Sequence, residues 1–206
     1  ADTYESGVKA VMLEGRLSTS IAAYHTNFDG VYFFFYDPGT STQNLGSIDE
    51  ATYTGMELEA NAMLSDRFSA YFGLGIVDSE IKKFANPADE GNQAPLVSEY
   101  TLNVGLQYQQ PLGLLDGRLE LVARVDYQRI GDTYWDPGNI SKRGAVDLVD
   151  FRVGVEVPGD WALVAWAKNA FDEKYNAEFS PGPALGANFL FKAPPARWGV
   201  DFTKRF

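Results

Sequence analysis

The chain has 206 residues, of which 28 are acidic and 17 are Lys or Arg, so its formal net charge is −11. This balance argues against nucleic-acid binding, which needs a stripe of basic residues to contact phosphates. The chain has no Cys and a single His, His25, which excludes disulfide frameworks, thiolate zinc sites and multi-histidine metal sites.

Apolar residues recur at every second position along most of the chain, which is the pattern of strands with one apolar and one polar face. In the segment 97–111, for example, Tyr100, Leu102 and Val104 alternate with polar residues. No segment of helical length shows a 3.6-residue apolar pattern. The sequence predicts about nine strands, which lie in chain order near 4–12, 17–28, 53–64, 67–76, 97–111, 117–130, 149–156, 161–171 and 196–206.

The predicted connections between these strands alternate in length. Short turns lie at 13–15, 65–66, 112–117 and 158–160, and long connections rich in Gly, Pro, Asn and Asp lie at about 37–48, 84–96, 132–144 and 178–195. A meander with tight turns at one end and long loops at the other is typical of an outer-membrane barrel. The longest apolar runs have about seven residues, far fewer than the roughly 18 that a membrane-spanning helix needs.

The alternation alone does not say which face is buried. In a soluble β-sandwich, such as a carbohydrate-binding module, the apolar face lies inside, whereas in a membrane barrel it faces lipid. Three features favour the antiparallel transmembrane β-barrel: the mixed charges along the polar faces, the unequal connections, and the aromatic residues at strand ends, which suit an interfacial girdle.

The last predicted strand, residues 197–206, reads R-W-G-V-D-F-T-K-R-F. Trp198, Val200, Phe202 and Phe206 share one face of it, and this pattern resembles the C-terminal signature of bacterial outer-membrane barrels. The resemblance implies that the barrel-assembly machinery reads these residues. Lys204 departs from the pattern, but a lysine near the interface can extend its ammonium group to water.

Three further motifs resemble those of TonB-dependent outer-membrane receptors. The segment 169–175, N-A-F-D-E-K-Y, is similar to their N-L-F-D-x-x-Y motif, with Ala170 at the usual Leu position. The segments 55–59, G-M-E-L-E, and 4–9, Y-E-S-G-V-K, resemble two earlier strands of that family. Their order agrees with the family pattern and, together with the other predicted strands, covers essentially the whole chain.

The resemblance implies a barrel of about 22 strands around an N-terminal plug. Nine strands are too few, and an odd number, whereas complete bacterial barrels have even counts. We therefore expect residues 1–206 to be the C-terminal part of a larger barrel, with the plug, the TonB-contacting segment and the earlier strands outside this sequence.

The function implied by the resemblance is active transport across the bacterial outer membrane. Such a receptor would bind a scarce substrate, of the iron–siderophore, cobalamin or oligosaccharide class, and import it with energy from TonB. Its expected partners are outer-membrane lipid, the TonB complex through the plug, the barrel-assembly machinery and the small-molecule or metal-chelate substrate.

Catalysis, cofactors and metal ions are not expected. Glu57 and Glu59 point to one polar face but have no accompanying nucleophile–base pair, and an outer-membrane hydrolase would depend on His25 alone. The loop segments 86–92 and 136–139 contain oxygen ligands without the spacing of a calcium loop, so ordinary turn chemistry is favoured.

Aromatic residues at the bases and tips of the long connections are the candidate ligand contacts. The alternative role for such rings is an interfacial girdle. The predicted ligand-binding residues are Tyr36, Tyr134, Trp135, Phe179 and Phe189, with Tyr32, Phe33, Phe35 and Phe191 as further candidates.

Overall fold

The computed structural model describes residues 1–37, 42–180 and 188–205, apart from the side chains of residues 35–37, 43 and 180. Thirteen strands form within these ranges. They are β1 (Asp2–Met12), β2 (Leu17–Asp37), β3 (Thr42–Met63), β4 (Phe68–Lys83), β5 (Tyr100–Pro111), β6 (Glu120–Ile130), β7 (Thr133–Tyr134), β8 (Lys142–Arg143), β9 (Val146–Val157), β10 (Trp161–Lys168), β11 (Asn176–Ser180), β12 (Phe189–Lys192) and β13 (Arg197–Lys204). A short 3-10 helix, Pro87–Asp89, lies between β4 and β5.

Nine of these strands form one antiparallel sheet in the order β1-β2-β3-β4-β5-β6-β9-β10-β13. The sheet is open, because β1 and β13 are its two edges within the described part of the chain. The predicted nine-stranded meander is confirmed. The β-sandwich alternative is wrong, because these strands do not divide into two packed layers.

The remaining strands are two small hairpins, β7–β8 and β11–β12, inserted in the long connections. The connections β1–β2, β3–β4, β5–β6 and β9–β10 are short and lie together at one end of the sheet, hereafter the short-turn end. The described parts of the connections after β4, β6 and β10 lie at the opposite end, hereafter the loop end.

The predicted long connection at 37–48 is wrong in extent, since β2 and β3 stay paired as far as Asp37 and Thr42. Residues 42–47 contain Gly, Asn and Ser and therefore indicated a loop. They form a strand because they pair with the aromatic segment 31–36, whose high β-propensity decides the local structure.

The register of the sheet collects residues of like polarity on each face. Leu106, Val125 and Phe151 are neighbours on one face, and Gln107, Arg124 and Arg152 are neighbours on the other. The apolar face stays accessible, with Val153 52% exposed and Val200 63% exposed. Apolar side chains this exposed need a covering such as lipid. Among the described residues, no helix has the length and hydropathy to span a membrane.

A small apolar core lies at the loop end, where Phe33, Ile48, Ala51 and Ile81 pack together. The connection after β4 is fixed beside it by backbone hydrogen bonds between Ile81 and residues 91 and 92. Gly30 has φ +74°, a left-handed conformation that glycine adopts without strain, and it separates the long barrel-wall part of β2 from this core.

The closing strand β13 places Trp198, Val200 and Phe202 on one exposed face, as predicted. Phe206 lies outside the described residues. The ammonium group of Lys204 is paired with the carboxylate of Asp160 in the β9–β10 turn, which accounts for a lysine at this position.

Candidate ligand-binding site at the loop end

The motif 169–175 forms a rigid corner at the end of β10. Asn169 has φ 48° and is nearly buried; its side-chain Oδ1 accepts a hydrogen bond from the Glu173 amide at 2.8 Å. Its Nδ2 donates to the carbonyls of Glu173 at 2.9 Å and Pro194 at 3.4 Å. The carboxylate of Asp172 accepts from the Ala196 amide at 2.9 Å. The motif thus fixes the base of β11–β12 and the start of β13.

Asp150 connects this corner to the polar face of the sheet. Its carboxylate accepts from the Asn169 amide at 2.9 Å and from the ammonium group of Lys168 at 2.6 Å. The corner is therefore attached both to the start of β13 and, through Asp150, to β9 in the main sheet.

Reciprocal hydrogen bonds join the connection after β4 to the connection after β6. The Asn139 side chain accepts from the Gln93 amide and donates to the Gln93 carbonyl, both at 3.0 Å. The Leu96 amide donates to the carbonyl of Tyr134 at 2.8 Å. These contacts hold the β7–β8 hairpin in a fixed position over the loop end.

The oxygen-rich loop segments serve turns, as predicted. The carboxylate of Asp136 accepts from the amides of Ile140 at 3.1 Å and Ser141 at 2.7 Å. The side chain of Asn86 accepts from the Ala88 amide at the start of the 3-10 helix. Within the described ranges, no group of three or more His, Asp or Glu side chains is arranged to hold a metal ion.

Trp135, Arg143, Tyr175 and Phe179 come together at this end, and we call them the Arg143 cluster. The guanidinium carbon of Arg143 lies 5.9 Å from the ring centroids of both Trp135 and Tyr175. The rings of Trp135 and Phe179 have centroids 6.5 Å apart and an interplanar angle of 31°. All four side chains are half-buried, which leaves an amphipathic surface with one positive charge.

One donor of Arg143 is used within the protein, since Nη2 donates to Thr133 Oγ1 at 3.0 Å. The Thr133 hydroxyl is itself 2.6 Å from the hydroxyl of Ser98. The Nε of Arg143 is shielded from solvent and has no hydrogen-bond partner.

The opposite face of the β7–β8 hairpin has a different composition. The ammonium group of Lys142 lies 5.9 Å from the ring centroid of Tyr134 and 2.5 Å from a carboxylate oxygen of Asp132. The hydrogen bond from Lys142 to Asp132 lowers the pKa of the Asp132 carboxyl and raises the pKa of the Lys142 ammonium group. This face is therefore electrically balanced.

The predicted ligand residues separate into groups. Trp135 and Phe179 meet in the Arg143 cluster, whereas Tyr134 lies on the other face of its hairpin. Phe189 is 47% exposed at the start of β12, where its backbone pairs with Ser180. Tyr36 is the penultimate residue of β2, and its side chain lies outside the described part of the structure.

Arg143 and Tyr175 were not among the predicted ligand residues. Tyr175 ends the 169–175 motif, which was a usable signal. No sequence pattern indicated Arg143. Its approach to Trp135 depends on the pairing of Thr133 with Arg143 in the β7–β8 hairpin, and the sequence indicated only a long loop there.

The polar face of the sheet forms an open groove of about 810 Å³. Arg124 lies in it and binds Asp126 through Nε at 2.9 and 2.8 Å, so Arg124 is already paired within its own strand. His25 lies elsewhere, with its ring nitrogens 2.8 Å from Thr54 Oγ1 and 3.2 Å from Asn27 Oδ1. The groove is a polar wall rather than a reaction centre.

An open antiparallel sheet with one polar face, one apolar face and structured connections at one end defines a strip of membrane β-barrel wall. Residues 1–170 match the family model described as TonB dependent receptor-like, beta-barrel, and the chain belongs to this family. Members of this family are bacterial outer-membrane barrels.

The chain is 28% identical over 176 residues to the metal-pseudopaline receptor CntO of Pseudomonas aeruginosa, covering 84% of this chain and 23% of that receptor. Among solved structures, the ferric yersiniabactin uptake receptor FyuA of Yersinia pestis has a TM-score of 0.80 at 18% identity, over 97% of this chain and 29% of that chain. The copper transporter OprC has a TM-score of 0.76 at 15% identity, over 99% and 30%.

The chain thus spans between a fifth and a third of the length of these relatives. The structural matches establish the fold. The relatives are receptors and a transporter, so the prediction of a non-enzymatic protein is confirmed.

Proposed function

We propose that this chain forms the C-terminal wall of a larger receptor barrel, which binds a metal chelate outside the cell and imports it across the outer membrane with energy from TonB. The observation that carries this proposal is the Arg143 cluster, where three aromatic rings and one cation are held at the loop end of a membrane-barrel wall. Rings supply contact area, and a cation complements the negative charge of many metal chelates.

The choice of a metal chelate over cobalamin or an oligosaccharide is supported by the names of the similar proteins. One is a receptor for metal-pseudopaline, one takes up ferric yersiniabactin, and one transports copper. In this proposal the loop end faces outward, as long connections do in outer-membrane barrels.

The other partners follow from the two faces of the sheet. Lipid covers the apolar face, which includes Val153 and Val200. The polar face lines the lumen around a plug supplied by the rest of the receptor, and that plug contacts TonB. The exposed face of β13, with Trp198, Val200 and Phe202, is read by the barrel-assembly machinery together with Phe206.

The test is an uptake assay in Gram-negative cells that lack their own metal-chelate receptors and express the intact receptor. The probes are radiolabelled ferric siderophores, nickel and zinc chelates, cobalamin and an oligosaccharide. We expect metal-chelate accumulation that disappears when TonB is deleted. Accumulation of only cobalamin or oligosaccharide, or uptake that does not need TonB, would contradict the proposal. Heat-modifiable gel migration of the receptor in outer-membrane fractions verifies that the barrel is assembled.

A further inference from the structure

Arg143 carries a positive charge that no acidic residue in the described ranges neutralises. The ion pairs of the neighbouring elements involve other residues: Lys142 pairs with Asp132, and Lys168 pairs with Asp150. Asp136, the other acidic residue of this connection, holds its carboxylate on two backbone amides. The carboxylates of Asp132, Asp136 and Asp150 are thus occupied elsewhere, and no ion pair between Arg143 and an acidic side chain forms in the described ranges.

The hydrogen-bonding capacity of Arg143 is also incompletely used. A guanidinium group has five N–H donors, and here one of them serves Thr133. Nε–H is shielded from solvent without an acceptor, which is an unfavourable state for a buried donor. Because Nε is closed to water and therefore to a ligand, an incoming acceptor would bind the donors on the two terminal nitrogens.

Two aromatic rings and one hydrogen bond surround the guanidinium group of Arg143. Trp135 and Tyr175 lie at equal distances of 5.9 Å from its central carbon, and the Thr133 hydroxyl holds one end of the group. A guanidinium with these contacts has less side-chain entropy to lose on binding than one that is free in solvent. Its planar fork of donors matches the two oxygens of a carboxylate.

We propose that the Arg143 cluster is a carboxylate-binding subsite, which recognises a carboxylate group of the metal chelate while the rings of Trp135 and Phe179 contact an adjacent apolar part of the ligand. This inference rests on the proposed function and specifies the substrate class: a chelate that carries at least one carboxylate. A carboxylate is favoured over a phosphate group because a single positive charge offsets one negative charge, and the chain as a whole carries a net charge of −11.

The experiment measures the affinity of the purified intact receptor for two probes by quenching of tryptophan fluorescence. Ferric citrate supplies carboxylates, and a neutral ferric trihydroxamate supplies a chelate of similar type without them. The variants are Arg143→Gln, which removes the charge, and Arg143→Lys, which keeps the charge but not the fork. Lys142→Gln is the matched control, because it removes a cation from the adjacent residue on the opposite face of the hairpin.

We expect Arg143→Gln to weaken ferric citrate binding by at least about tenfold, the loss typical of one charge-assisted hydrogen bond. Arg143→Lys should give an intermediate value, and Lys142→Gln should stay within about threefold of the wild type. The neutral trihydroxamate should bind equally to the wild type and Arg143→Gln.

The inference is overturned if ferric citrate does not bind, or if it binds the wild type and Arg143→Gln with equal affinity. It is also overturned if Arg143→Gln weakens the binding of both probes, or if inorganic phosphate displaces ferric citrate at equal concentration. The uptake assay separates this failure from failure of the proposed function. Continued TonB-dependent uptake of a carboxylate-free chelate would leave the receptor assignment intact and remove only the subsite. Heat-modifiable migration of each variant confirms that the barrel has formed.

Discussion

Tyr134 and Trp135 are adjacent in the chain, but their rings lie on opposite faces of the β7–β8 hairpin. Trp135 stacks near Arg143 and Phe179, and Tyr134 stacks near Lys142. Successive side chains of an extended backbone point in opposite directions, so this separation follows from the pairing of Thr133 with Arg143 and of Tyr134 with Lys142. Two residues that the sequence places in one candidate group therefore have different surroundings.

The separation predicts unequal effects on ligand binding. Trp135→Ala removes one ring beside Arg143 and the ring contact with Phe179, so we expect the affinity for the imported chelate to fall by about tenfold or more. Tyr134→Ala should change affinity by less than about threefold, because its ring faces the balanced Lys142–Asp132 pair. Titration of the two purified variants with the same chelate measures both effects. Equal losses would place the ligand across both faces of the hairpin and contradict the assignment.

The sequence allowed the sheet to be predicted because strict alternation fixes which side chains share a face. The strand predicted at 97–111 is β5 (Tyr100–Pro111), and its pairing of Gly105 with Asp126 puts polar faces side by side. The extension of β2 and β3 to Asp37 and Thr42 was missed, because a strand rich in turn-forming residues is stabilised by its partner rather than by its own propensity.

The site was predictable only in part, for a related reason. Trp135 and Phe179 could be chosen because large aromatic residues in loops are frequent binding residues. Arg143 could not be chosen, since its position depends on a two-residue pairing inside a connection and on hydrogen bonds between Gln93 and Asn139, which lie in different connections. Such long-range contacts leave no periodic signal in the sequence.

Asn169 is expected to determine the stability of the corner at the end of β10. Asn169→Ala removes the acceptor of the Glu173 amide and places alanine at φ 48°, a left-handed conformation that costs about 1 kcal/mol for a residue with a Cβ atom. Together with the lost hydrogen bonds, this strain should lower the free energy of opening the corner by about 3 kcal/mol. Amide hydrogen exchange at Ala196, whose amide donates to Asp172, should then be roughly a hundredfold faster.

Asn169→Gly separates the two contributions to this effect. Glycine accepts the left-handed conformation without strain but makes no side-chain hydrogen bond. Its exchange rate at Ala196 should therefore lie between those of the wild type and Asn169→Ala. If Asn169→Gly exchanged as slowly as the wild type, the side-chain hydrogen bonds would contribute nothing to the corner.

Gly154 is expected to be required for pairing between β9 and β10. A Cβ atom at this position would lie 2.3 Å from the carbonyl oxygen of Leu163 and 2.7 Å from the Cα of Val164, both backbone atoms. Gly154→Ala should therefore force the two strands apart and reduce the fraction of receptor with heat-modifiable migration. Gly144→Ala is the control, since a Cβ there meets no atom within 4 Å. Equal yields of folded barrel from both variants would show that the strands relax without cost.

The Asp132–Lys142 pair gives the loop end a defined response to pH. Because the hydrogen bond from Lys142 lowers the pKa of Asp132, the pair stabilises the folded connection at neutral pH, and this stabilisation is lost as the pH falls through that lowered pKa. The pKa of Lys142 is raised, so on the alkaline side the stabilisation is lost only as the pH rises through the raised value.

Lys142→Met should return the pKa of Asp132 toward its ordinary range, an upward shift that carbon NMR of the labelled carboxyl group can follow. Asp136 serves as the internal control, because its carboxylate binds backbone amides and not Lys142. An unchanged Asp132 titration in Lys142→Met would mean that the ion pair does not persist in solution.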